Sequence, residues 1–216
     1  DEFGSVAPKG FTTVDADHKA TVQPLMINYP NIGNAYAYIV INQQPEPEGA
    51  DWRNIYPRSG DQLLATMATA DGTEAVDWII SDQMTARNDA KFRFYAKSYD
   101  GDNTYHPWAY LTVLVSTTDN AVSSFTPLSG FTSVQVPHKN NNDSQTSWTE
   151  FDVDLSAYAG QKIYIAVRNN TPLNGFVTFF DDFYLENFEY VNSDNSAPYF
   201  TTVPETTATV GKKWTY

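Results

Sequence analysis

Trp148-Thr149-Glu150-Phe151-Asp152-Val153-Asp154-Leu155 sets Phe151, Val153 and Leu155 against Glu150, Asp152 and Asp154 in strict alternation. Successive side chains of a strand point to opposite faces, so this stretch reads as a strand with one dry face and one wet face. Outward from it, the same period of two recurs in short β-branched and aromatic runs. These are Ala35 to Ile41, Lys91 to Ala96, Tyr110 to Val115 and Lys162 to Val167. Turn signals stand between them: Tyr29-Pro30-Asn31, Asp71-Gly72, Asp100-Gly101-Asp102, Asn140 to Asp143 and Asn169-Asn170. Leu63 to Thr69 fits a turn or two of helix and a strand equally well. No long amphipathic helix is present, and about ten short strands separated by turns predict a β-sandwich.

Composition fits that class and excludes others. The chain has 216 residues, 15% of them aromatic and 41% hydrophobic, enough large side chains to offset chain entropy by burial. Thirteen Lys and Arg against 26 Asp and Glu give a net charge of −13, the wrong sign for electrostatic binding of nucleic acid. No apolar run approaches the roughly 20 residues a bilayer-spanning helix needs, so no membrane insertion is expected. Without any Cys, disulfides, thiolate nucleophiles and Cys-based metal sites are excluded. The Thr-, Asn- and Tyr-rich, Lys-poor composition suits a secreted or cell-surface protein.

Two long connections interrupt the strands: Gln43 to Gly60, with Pro45, Pro47 and Pro57, and the Asn-rich stretch 138–147. A polar linker is expected at 192–196, which divides a first domain, 1–191, from residues 197–216. The last 20 or so residues read as two strands too short to bury a core alone. They are expected to open a second β-domain.

Four stretches, in order, resemble one family. They are Pro8-Lys9-Gly10-Phe11 through Asp17; Asp77-Trp78-Ile79-Ile80-Ser81 followed by Phe92 to Ala96; Leu111 to Thr118; and Trp148 to Phe151. The last leads into Asp154-Leu155-Ser156-Ala157-Tyr158-Ala159-Gly160, Ile163 to Arg168 and Phe180-Asp181-Asp182-Phe183. The pattern is similar to the cleaved-adhesin, or choice-of-anchor J, group of bacterial surface domains, which includes the adhesin modules of gingipain-type proteins. That resemblance implies an all-β jelly-roll sandwich, an extracellular location, no catalysis and structural Ca2+. The tail resembles the start of an immunoglobulin- or cadherin-like repeat. The sequence departs from the group's pattern at Glu2-Phe3-Gly4, at His18-Lys19 after the second Asp, and in the insertion around 43–60.

Asp181-Asp182 interrupts an otherwise apolar strand, Phe176 to Leu185. Strict alternation would turn one carboxylate inward, where it needs a partner or a metal. Ca2+ takes six to eight oxygens, and Asp15 and Asp17, on one strand face at spacing two, could complete the set. The expected metal residues are therefore Asp181, Asp182, Asp15 and Asp17. Asp100-Gly101-Asp102-Asn103 resembles a calcium loop but lacks the Glu an EF-hand places at its twelfth position, and reads as a turn. His18, His106 and His138 lack metal-ligand spacing.

The loop aromatics Trp108, Trp52 and Tyr105 are the candidate ligand contacts, since a flat ring suits the CH face of a sugar. Trp78 and Trp148 read as packing residues. Glu150-Phe151-Asp152-Val153-Asp154 is the one enzyme-like signal, similar to the paired-acid strand of laminarinase-type glycosidases, with Asp154 where a Glu would stand. The leading expectation is a non-catalytic adhesion or binding module, monomeric within a multidomain surface chain. Its partner would be a glycan or an extracellular, host-type protein. A pure spacer domain and a glycoside hydrolase acting through Glu150 and Asp154 are the alternatives.

Overall fold

The structure is a computed structural model that describes residues 7–23, 32–42, 56–98, 109–137, 148–171 and 175–190. Among these residues eleven strands build two antiparallel layers. One layer runs β1 (Phe11–Asp15), β4 (Asp77–Ser81), β10 (Lys162–Asn169) and β6 (Ala109–Ser116), with the short β7 (Thr126–Pro127) and β8 (Val134–Val136) beside β6. The other runs β9 (Thr149–Asp154), β5 (Met84–Ser98), β11 (Val177–Tyr190), β3 (Gln62–Met67) and β2 (Ile39–Asn42). The two meet where Lys162 and Ile163 of β10 pair with Thr85 and Met84 at the start of β5. This is the jelly-roll sandwich expected from the sequence.

The alternation read in the sequence decides which side chains fill the centre. Phe92 and Phe94 of β5, Phe151 and Val153 of β9, and Phe180 of β11 face Val113, Val115, Ile163, Ile165 and Val167 of the opposite layer, all buried. Phe94 and Phe151 are direct cross-strand partners and stack with ring centroids 5.0 Å apart and planes 4° from parallel. Such aromatic pairs add to the value of their buried area.

Each layer also carries apolar residues on its outer face. Trp78 and Ile80, flanking inward-facing Ile79, pack with Leu114, Ala166 and Phe125. On the other layer Ile39, Ile41, Leu63, Ala65, Met67, Phe179 and Trp148 form a second outer cluster. Trp78 and Trp148 are thus buried at 6% and 8% exposure. The double-sided burial explains β3. Leu63 to Met67 is buried throughout, so it shows no alternation and leaves helix and strand unresolved in sequence. The run Ala35 to Ile41 is shorter than expected as a strand: only Ile39–Asn42 pairs with β3, while Ala35 makes a lone bridge to Ala20. Residues 197–216 and the linker 192–196 lie outside the described residues.

Candidate functional site

β1 and β4 pair in a register that sets Asp15, the last residue of one, opposite Asp77, the first of the other. Just beyond, the chain turns back at Asp17-His18, where His18 takes a left-handed φ of 54°. The result is a carboxylate trio: Asp15, Asp17 and Asp77 each bring an oxygen within 4.8 Å of the others. Asp77 is 3% exposed, and its Oδ2 accepts from Thr66 Oγ1 at 3.1 Å and Asn169 Nδ2 at 3.5 Å. Asp17 accepts from the backbone N–H of Val76 at 2.7 Å and of Lys19 at 2.9 Å, and Asp15 from that of His18 at 2.7 Å.

The electrostatics of the trio are adverse. Burial, with the charges of Asp17 and Asp15 added, pushes the Asp77 carboxyl well above its ordinary range. Burial also raises Asp15, against the pull of the His18 N–H, and Asp17 raises it further. Among the described residues no Lys or Arg ion pair reaches the three. The Lys19 ammonium instead pairs with Asp71 at 3.1 Å. Three converging carboxylates with no Lys or Arg partner among the described residues repel one another, and their all-oxygen donor set is of the kind a hard cation takes.

Asp181 and Asp182 meet different partners. The β11 ladder with β5 slips between Asp181 and Tyr184, and Asp182 takes a φ of 51°, so the strand bulges there. The bulge cancels the alternation that would have separated the two side chains, and both turn to Arg58 and Ser59. Asp181 Oδ2 accepts from the backbone N–H of Arg58 at 2.7 Å and of Ser59 at 3.3 Å. Asp182 pairs with the Arg58 guanidinium and accepts from Ser59 Oγ at 2.5 Å. The guanidinium also lies 3.6 Å over the Tyr95 ring. Lys97, 9% exposed, completes this clamp. Its Nζ donates to the Tyr56 carbonyl at 3.2 Å and stands 4.4 Å from the Trp148 ring. Burial pulls the Lys97 ammonium down to about 8, with Asp181 opposing. The four sequence-derived metal candidates therefore divide: Asp15 and Asp17 join Asp77, whereas Asp181 and Asp182 hold residues 56–59 onto the sheet.

The Cleaved Adhesin Domain family matches the chain over residues 48–185, more than half its length. The chain belongs to that family. The K2 cleaved adhesin domain of Lys-gingipain superposes with a TM-score of 0.55 at 18% identity, covering 84% of this chain and 91% of that one. The K1 domain of Lys-gingipain from Porphyromonas gingivalis W83 gives 0.53 at 18% identity, covering 86% and 94%. At such identities the likeness establishes the shared fold. Among curated proteins none matches the chain.

In this cleaved adhesin domain the enzyme-like strand is part of an ion-pair ladder. Glu150 lies 3.4 Å from Arg93, which also pairs with Glu186, and Asp152 lies 3.1 Å from Lys91. Asp154 accepts from the Ser156 N–H at 2.8 Å, and the Ser156 backbone and hydroxyl hold its carboxyl below the usual range. A glycosidase acid needs the opposite shift. The loop aromatics Trp108, Trp52 and Tyr105 lie outside the described residues, as do His106, His138 and the Asp100 to Asn103 turn. Asp77 is the residue sequence reading missed. Its one signal is a charge opening an otherwise apolar strand, Asp77-Trp78-Ile79-Ile80.

Proposed function

We propose that this chain is a non-catalytic adhesion or binding module of a larger bacterial cell-surface protein, whose sandwich is tied by Ca2+ at Asp15, Asp17 and Asp77. Membership of the cleaved adhesin family supports the class of function. The observation that carries the calcium reading is the buried Asp77 facing two further carboxylates with no Lys or Arg ion pair to them among the described residues. Ca2+ would supply charge compensation there and link β1 to β4, and its remaining ligands would be carbonyl or water oxygens. The partner is a glycan or an extracellular protein. A net charge of −13 favours neutral or basic surfaces and repels nucleic acid and anionic membranes.

Thermal unfolding of the chain in EDTA and in Ca2+ tests the metal. A metal that binds only the folded state adds about 2.7 kcal/mol at a hundredfold excess over Kd. The melting temperature should rise with Ca2+ in the parent and in Asp181→Asn, and the rise should vanish in Asp77→Asn. Equal melting with and without Ca2+, and no metal retained by elemental analysis, would remove calcium from the account.

A further inference from the structure

The bulge in β11 does more than aim two carboxylates. β11 pairs with β3 only as far as Phe180↔Leu64, and past that point the two strands no longer pair. A cleft of about 580 Å³ lies there, lined by Asn42, Ser59, Gly60, Asp61, Gln62 and Asp181. A second hollow of about 280 Å³ shares Gln62 and Asp181 with it and is walled by Phe183. The larger of the two is a shallow groove open to solvent, lined chiefly by polar side chains.

The lining has a definite chemistry. Gln62 Nε2 donates to Asn42 Oδ1 at 2.9 Å. That bond uses neither the Asn42 amide N–H groups nor the Gln62 carbonyl oxygen, one donor group and one acceptor. Neighbouring hydroxyls of a sugar ring, each able to donate and accept, match that pair. Asp61 and Asp181 add carboxylate acceptors. Asp181 is held by three backbone N–H groups, those of Arg58, Ser59 and Asp182. Its geometry is therefore set before any ligand arrives, which reduces the ordering cost of binding. Phe183, which is fixed in a stack with Phe94 at a centroid distance of 5.7 Å, gives the adjoining smaller hollow an apolar wall for CH groups. The Arg58 guanidinium is committed to Asp182 and Tyr95, and the described lining of the cleft carries two carboxylates and no cationic side chain, which disfavours anionic ligands.

We propose that the cleft between β3 and the β11 bulge, built on Asn42, Gln62, Asp61 and Asp181, binds neutral saccharides. This rests on reading the domain as a binding module, and it names the ligand class and the place. The test is amide NMR on the labelled 216-residue chain, titrated separately with xylohexaose, cellohexaose, mannohexaose, a heparin hexasaccharide and a short polylysine peptide. At least one neutral probe should shift the Asn42, Asp61 and Gln62 amides saturably, and heparin should not. Losing both amides in Asn42→Ala/Gln62→Ala should weaken that probe by about tenfold or more, because the hydroxyls it bound lose their partners. Glu74→Gln, whose ion-pair partner Arg168 lies on β10 in the other layer, should bind as the parent does. Silence from all three neutral probes at millimolar concentration, undiminished binding by the double variant, or a response to polylysine alone would each overturn the proposal. The Ca2+ melting experiment on the same sample keeps the two readings apart. A chain stabilised by Ca2+ but indifferent to every neutral probe loses only the saccharide cleft.

Discussion

Replacing Lys97 by Met isolates the cost of a buried cation. The methionine keeps an unbranched stem against Trp148 and removes the charge. In the folded chain the ammonium is drawn from 10.5 to about 8. At about 1.36 kcal/mol per pH unit, that difference of about 2.5 units amounts to roughly 3 kcal/mol. Its sign follows from proton counting. Below pH 8 both folded and unfolded chains are protonated here, and the folded state bears the full cost. Between about 8 and 10.5 the unfolded chain binds more protons, so the parent gains stability as pH rises. Lys97→Met lacks this term. Whatever fixed offset arises from the lost bond to the Tyr56 carbonyl, the stability gap between variant and parent should move by about 3 kcal/mol in the parent's favour from pH 7 to 10.5. Urea unfolding of both proteins at four pH values across that range reads it directly. Tyrosines such as Tyr38 and Tyr95, whose hydroxyls burial pushes above their ordinary range in the folded chain, appear in both proteins and cancel in the difference. A gap constant within about 0.5 kcal/mol would show that Lys97 is not held in a desolvated site.

Glu150→Gln should change stability by no more than about 0.5 kcal/mol, because its Arg93 pair is half exposed and Arg93 retains Glu186; a loss above about 2 kcal/mol in a denaturant melt would contradict the ladder reading. Phe94→Ala should cost about 3–5 kcal/mol, since it removes a fully buried ring stacked on Phe151 and Phe183. A cost under about 1 kcal/mol would mean that the inter-layer core is not centred on that stack.

What could be read in the sequence follows from where each signal originates. Alternation is local, so Lys91 to Ala96, Tyr110 to Val115, Lys162 to Val167 and Glu150 to Asp154 declared themselves as strands. It fails where both faces are buried, as at Leu63 to Met67. It misleads at Asp181-Asp182, where a left-handed residue inserts a bulge that no local pattern announces. Asp15 and Asp17 were legible as an acidic pair, but their third partner depends on the β1–β4 register, a contact across some sixty residues of chain. Arg58 and Ser59 sat inside an apparently irregular, Pro-rich excursion. Their value lies in backbone N–H groups, which every sequence carries and none advertises.

The way the strands share their ladders decides how the domain would yield to tension. β11 is bonded to β5 from Thr178 to Tyr190 and to β3 on its other side, so drawing it out along its axis shears many bonds at once. Among the described residues β1 is an edge strand, its five residues paired with β4 alone. A chain pulled through this domain would therefore peel at β1 first. Asp15, Asp17 and Asp77 lie at the far end of that seam, where a rivet between the two strands would oppose the peel.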